Sequence, residues 1–187
     1  VTSGTQSNLC ALLSHCQRGE EILTGSNYHV FVDEAGGASV LGGIMMHPLS
    51  TKKDGAIDSE SIVSSIKPDD PHCPITKLLS LENTVSGKPQ TVSQLDIYSN
   101  LAKKHHLALH MDGARLMNAA VKLNTSAKTL VEKMDSVSLC LSKGLGSPVG
   151  SVLAGRSDFI KKAHRVRKLV GGGLRQSGIL AAAGIYA

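Results

Sequence analysis

Six short apolar runs alternate with segments of helical spacing, and that alternation restricts this chain to an α/β architecture. The runs lie at 22–24, 44–46, 76–81, 107–111, 137–141 and 151–154. Before, between and after them, helices are expected over 9–16, 52–66, 92–105, 116–123, 126–133, 156–170 and 174–187, with a further helix start around 34–37. Strands that alternate with helices predict a largely parallel sheet. Pro48 is expected to close the second run, because proline removes a ladder donor. In such sheets ligands gather at the carboxyl ends of the strands. The residues that follow each run therefore matter most.

Three of those strand ends carry reactive side chains. Lys143 follows the run 137–141 and precedes a loop with three glycines and a proline. A buried lysine loses its proton more readily and becomes a usable nucleophile towards a carbonyl. The plainer alternative is a lysine whose head reaches out to solvent. Asp112 ends the run 107–111, where a helix cap is the competing explanation. His29 closes the loop after the first run. Ser3, Gly4, Thr5, Gln6, Ser7 and Asn8 form a small polar turn ahead of the first helix. The free N–H groups and positive dipole end of that helix suit a phosphate, although a capped helix alone would look the same. Together these features match the parts pyridoxal phosphate chemistry requires: a lysine for the aldehyde, a carboxylate for the ring nitrogen, an aromatic side chain to stack, and a helix N-terminus for the phosphate.

The totals narrow the class further. The 187 residues can build one domain with a sizeable core, and no internal repeat, low-complexity stretch or linker divides them. Aromatic residues make up only 3%, without tryptophan, so the core relies on aliphatic side chains. The net charge of +5 is spread out, apart from the basic cluster 161–168. With few aromatics to stack bases, that cluster suits a small anion or a solvated helix face better than nucleic acid. No apolar stretch approaches the length of a membrane span, so no membrane partner is expected. Cys10, Cys16, Cys73 and Cys140 lack C-x-x-C spacing and are expected to be reduced, which fits the cytosol or another reducing compartment. The chain opens on Val1 and ends at Ala187 within a helical pattern, so a piece of a longer protein is expected.

Six motifs in order carry a family resemblance: Ser-Gly-Thr-Gln-Ser-Asn at 3–8, Glu-Ala-Gly-Gly at 34–37, Leu-Glu-Asn-Thr at 81–84, His-Met-Asp-Gly-Ala-Arg at 110–115, Leu-Ser-Lys-Gly-Leu-Gly at 141–146, and Gly-Gly-Gly-Leu-Arg-Gln at 171–176. The chain resembles the low-specificity L-threonine aldolases, within the aspartate-aminotransferase-like (fold type I) enzymes that use pyridoxal 5'-phosphate. The resemblance implies a three-layer α/β/α large domain over 1–187, with an N-terminal segment and a smaller C-terminal domain outside it. It implies retro-aldol cleavage of β-hydroxy-α-amino acids such as L-threonine or L-allo-threonine to glycine and an aldehyde. It also implies a homo-oligomer, a tetramer or dimer of dimers.

Residue by residue, the resemblance makes Lys143 the Schiff-base lysine and Asp112 the partner of the pyridine nitrogen. His29 stacks on the ring and is a candidate base. Gly4 and Thr5 hold the phosphate. Arg115 lies beside the ring near the substrate carboxylate, and His72 approaches the substrate hydroxyl. Lys168 and Arg175 sit near the cofactor, across a subunit interface in one reading. His110, two residues before Asp112, is a candidate orienter of that carboxylate. Val85 stands where many relatives carry histidine, which weakens any catalytic part for that position. The alternatives are a β-eliminating lyase or aminotransferase with the same cofactor, or a non-catalytic chain that keeps the fold. For His72 a surface-loop residue, for Lys168 a helix-end cation, and for Arg115 a structural ion pair compete with these roles.

Overall fold

The computed structural model describes residues 1–187. Its centre is a six-stranded sheet of β1 (Glu20–Gly25), β2 (Met45–Leu49), β3 (Ile75–Glu82), β4 (Ala108–Asp112), β5 (Ser136–Cys140) and β6 (Ser151–Gly155). The strand order is β2-β1-β3-β4-β5-β6. The first five strands are parallel, and β6 runs antiparallel to β5 along the edge. Thr24 pairs with Ser80, Glu82 with Asp112, and Asp112 with Ser138. That register brings the carboxyl ends of β1, β3, β4 and β5 to one rim of the sheet.

The helices follow from local signals. α1 (Gly4–His15) is capped by Ser3, whose side chain accepts from the Gln6 N–H. The polar turn expected ahead of this helix is therefore its own first turn. α5 (Val92–Lys104) is capped in the same way by Thr91 and buries Leu95, Tyr98 and Ala102. Between these two come α2 (His29–Val32), α3 (Gly37–Gly42) and α4 (Ser59–Ser65). After α5 follow α6 (Leu116–Lys122), α7 (Ala127–Val131), α8 (Ser157–Leu169) and α9 (Gly178–Tyr186). In β4, successive side chains alternate between faces. His110 and Asp112 face α1, while Leu109 and Met111 face the side that the right-handed β3–α5–β4 crossover covers. The largest cluster of buried apolar residues runs through both faces, from Leu12 to Leu130.

Several boundaries differ from the sequence expectations, each for a physical reason. Pro48 lies inside β2 rather than after it, because β2 is an edge strand and a proline there leaves no ladder bond broken. The helix expected over 52–66 shrinks to α4. Ile57 is instead pinned outside it, where its N–H and C=O both bond the Tyr98 hydroxyl at 2.8 and 2.9 Å. The last helix begins at Gly178 rather than 174, after the glycine run 171–173, where Gly171 and Gly172 adopt positive φ. No helix is long and apolar enough to cross a membrane.

Candidate active site

The rim where the parallel strands end gathers an acidic, mostly buried cluster. Glu82 ends β3 and Asp112 ends β4, and both are buried. Glu34 joins them from the turn between α2 and α3, and Asn8 from α1, again both buried. Asn8 Nδ2 donates to Glu34 Oε1 and to Asp112 Oδ2, each at 2.8 Å. The Ala114 N–H donates to Asp112 Oδ1 at 3.0 Å, which turns the chain out of β4 towards α6. His29, the first residue of α2, donates its backbone N–H to Glu82 Oε2 at 2.6 Å and sets its ring Nδ1 3.0 Å from Glu34 Oε1.

The electrostatics follow from this crowding. Burial pushes the Glu82 carboxyl up to about 7, and the Asp112 charge adds to the rise. The His29 N–H and the Lys143 charge pull the other way. Burial also raises Glu34, against the hydrogen bonds from Asn8 and His29. Asp112 is 3% exposed and forms no ion pair within the chain. A buried carboxylate of that kind calls for a cationic partner. Oxygens of Glu34 and Asp112 and a nitrogen of His29 lie within 4.8 Å of one another, a spacing that could suit a metal ion. However, Asn8 aims N–H groups at both carboxylates and His29 faces one of them, so the cluster is filled with donors rather than shaped around a metal.

Lys143 stands in the loop directly after β5, half-buried, and close enough to Glu82 to lower its pKa. The next residue, Gly144, lies against the exposed Asn118 side chain of α6, which would have to turn aside for a Cβ. At the same rim, α1 begins under β5 and β6: a Cβ on Gly4 would lie 2.8 Å from Cys140 Sγ. The N–H groups of Gly4 and Thr5 meet no acceptor in the chain. They offer an anion the free donors of a twelve-residue helix. Ser7 Oγ donates to Ser138 Oγ at 2.8 Å and holds the helix in place over β5.

The remaining expected residues divide. Arg115 is exposed at the start of α6 and pairs with no carboxylate of the chain. Because β6 is antiparallel, α8 runs back to the site rim, and its last turn carries Lys168, exposed, with exposed Arg175 just beyond. His110 does not touch Asp112 but reaches Asn8, which does. His72 stands apart from the others within this chain. It lies in the loop before β3, at the opposite end of that strand from Glu82, with its side chain 90% exposed and bonded to Asp70 at 2.7 Å. The structure does not bring it to the cluster. Sequence reasoning assigned no role to Asn8, Glu34 or Glu82. Glu82 gave the same signal as Asp112, a carboxylate at the end of an apolar run, whereas Asn8 and Glu34 carried none outside their motifs. All four cysteines are free.

A family model described as beta-eliminating lyase matches residues 1–187. The chain is 52% identical over 187 residues to the low specificity L-threonine aldolase of Escherichia coli K12, covering all of this chain and 56% of that protein. It is 45% identical over 193 residues to the probable low-specificity L-threonine aldolase 2 of Arabidopsis thaliana, covering 54% of it. The chain thus spans about half the length of the curated relatives it matches. Among solved structures, Leishmania major threonine aldolase aligns over 98% of this chain and 54% of its own, with a TM-score of 0.86 at 23% identity. A Thermus thermophilus aspartate aminotransferase aligns over 97% of this chain and 47% of its own, with a TM-score of 0.73 at 16% identity. At those identities the two structures speak for the shared fold.

Proposed function

The chain belongs to the beta-eliminating lyase family, and on that premise we propose that it carries the pyridoxal-phosphate half of a low-specificity threonine aldolase, which cleaves L-threonine or L-allo-threonine to glycine and acetaldehyde. The observation that carries the reading is Asp112: a buried carboxylate, held by two N–H donors and without a cation, on the rim that also presents Lys143. A protonated pyridine nitrogen is the charge that would balance it. The relatives named as threonine aldolases at 45–52% identity favour this substrate class over other chemistry of the same cofactor.

Pyridoxal phosphate, when bound, supplies an aldehyde to the Lys143 amine and a conjugated ring that draws electrons from bonds at the substrate α-carbon. Asp112 holds the proton at the ring nitrogen and so keeps the ring electron-poor. The free N–H groups of Gly4 and Thr5 take the phosphate, with Lys168 and Arg175 as nearby cations. Glu34 accepts from His29 Nδ1, which leaves Nε2 with its lone pair exposed. His29 Nε2 is thus the base for the β-hydroxyl proton, and its ring would stack on the cofactor. Arg115, unpaired in the chain, takes the substrate carboxylate. Lys143 is half-buried and Arg115, Lys168 and Arg175 are exposed, so the mouth of the site stays open to water until further chain or a second copy covers it. Exposed apolar residues Val40 and Leu41, next to Thr5 and Glu34 across a shared cleft, support a homo-oligomer. The reducing compartment fits the free cysteines.

The test is the visible absorbance of the full-length protein with pyridoxal phosphate, compared with Lys143→Ala, followed by product analysis on a substrate panel. A visible band that disappears in the variant, with glycine and aldehyde as products, supports the proposal. Keto-acid release would point to β-elimination or transamination. Absence of the band in both proteins would reject the cofactor reading.

A further inference from the structure

A buried polar chain runs from the far end of α1 to the acidic cluster. His15 Nε2 lies 2.7 Å from Ser136 Oγ, and the same oxygen lies 2.8 Å from His110 Nδ1. His110 Nε2 lies 3.4 Å from Asn8 Oδ1, and Asn8 Nδ2 reaches Glu34 and Asp112. Ser136, His110 and Asn8 are each at most 1% exposed, so water does not complete their bonds. His15 is half-buried and stacked on Phe159, with ring centroids 4.5 Å apart.

The direction of every hydrogen in this chain can be worked out from its acidic end. A side-chain amide offers two N–H donors on one side and an acceptor oxygen on the other. The Asn8 atom that faces two carboxylate oxygens at 2.8 Å must be the nitrogen, because an amide oxygen there would meet two like partial charges. Its oxygen therefore faces His110 and requires an N–H at Nε2. Burial drives the His110 pKa down to about 3, so at neutral pH the ring carries one hydrogen only. Nδ1 is then an acceptor, and the Ser136 hydroxyl donates to it. The Ser136 oxygen in turn accepts from His15 Nε2–H. Burial lowers His15 to about 4, so that ring is neutral too.

We propose that Asn8 is the positioning residue of Asp112, and that its amide orientation is locked by a one-way hydrogen-bond chain from His15 through Ser136 and His110. The clamp has a geometric consequence. Asn8 spends both N–H groups on carboxylates that come from different elements, so it ties the site of the ring nitrogen to the residue that orients His29. A reversed amide would turn its oxygen on both anions and leave His110 Nε2–H without an acceptor. This inference rests on the reading of Asp112 as the carboxylate that faces the cofactor.

The experiment is nitrogen-15 NMR of the imidazole rings in the full-length protein at neutral pH, without and with pyridoxal phosphate. His110 is expected in the Nε2–H form with Nδ1 as acceptor, and His15 in the Nε2–H form, both before cofactor is added. Asn8→Ala should raise the dissociation constant of pyridoxal phosphate about tenfold, the scale of one lost hydrogen bond to a charged group. Ser136→Ala, remote from the carboxylates, should mix the two His110 tautomers and weaken the cofactor severalfold. A merely structural role for these residues would lower the melting temperature without moving the tautomer signal. An Nδ1–H or doubly protonated His110 in the wild-type protein overturns the inference, as does unchanged cofactor affinity in both variants. The cofactor-free spectrum keeps the two readings apart. If wild-type protein fails to bind pyridoxal phosphate while His110 shows the Nε2–H form, the cofactor reading falls and the Asn8 clamp stands.

Discussion

Two carboxylates at the ends of neighbouring strands, Glu82 and Asp112, share one dry rim with Glu34, and a single substitution shows what that crowding costs. Glu82 has a folded-state pKa near 7, above the roughly 4.3 of an unfolded chain. Between those values the folded protein binds more protons than the unfolded one, so stability falls as pH rises, at up to about 1.4 kcal/mol per pH unit. Glu82→Gln keeps an acceptor for the His29 N–H and removes the charge. It should therefore gain stability relative to wild type on going from pH 5 to pH 8 in urea denaturation. A constant difference across that range would show that Glu82 is not held above its normal pKa. His110 and His15 act with the opposite sign: their lowered values cost stability as pH falls below about 6.5. The residue expected to move protons in the reaction is His29. His29→Phe should retain the cofactor's visible absorbance, since a ring still stacks, and lose at least about 100-fold in retro-aldol rate, the lower range for a general base. Asp112 and Lys143 were legible in the sequence because each sits just past an apolar run. His72 lies away from the cluster for the converse reason: its loop enters a strand instead of leaving one, which in a parallel sheet puts it at the opposite rim. Asn8 was not legible as a partner because its contact with Asp112 spans 104 positions.

Among the elements, α1 does the most to shape the rim. Its first turn sits so close to β5 that Gly4 has no room for a methyl group beside Cys140. Gly4→Ala should cost about 1–3 kcal/mol, the usual range for overpacking. Cys140→Ala in the same chain should recover part of that loss, and a double-mutant cycle in urea measures the coupling. Additive losses would mean that the two side chains do not meet. The Ser3 cap is a separate contribution: Ser3→Ala should cost about 1 kcal/mol and lower the melting temperature. The class of fold was legible from the alternation itself, because each apolar run marks one strand of the sheet and the helical stretches between them mark the connections. The boundaries were harder, since tertiary contacts decided them. The Tyr98 hydroxyl holds Ile57 outside α4, and the edge position of β2 tolerates Pro48 within the strand. The antiparallel turn into β6 left no mark in the sequence, yet it is what returns α8, and with it Lys168, to the rim.

For the molecule as a whole, the least settled surface is α9. None of its residues is buried, and Ile179, Ile185 and Tyr186 are each more than 85% exposed. Apolar surface of this kind invites contact. The 187-residue chain should therefore self-associate as its concentration rises in sedimentation velocity, and Ile179→Ser with Ile185→Ser should weaken that association. Concentration-independent sedimentation would count against it. The hydrogen bonds that build the site have a different consequence, for how the chain is made. They join positions 53, 104 and 131 residues apart: His29 to Glu82, Asn8 to Asp112, and Ser7 to Ser138. Contacts of such long range are slow to form, because loop closure must precede any reward from them. During synthesis α1 emerges before β4 and β5, so its bonds to Asp112 and Ser138 must wait until those strands have left the ribosome. A cofactor that recognises the finished rim then binds the folded chain alone and stabilises it by mass action. On the proposed function, pyridoxal phosphate supply during expression would thus set how much of the folded protein survives.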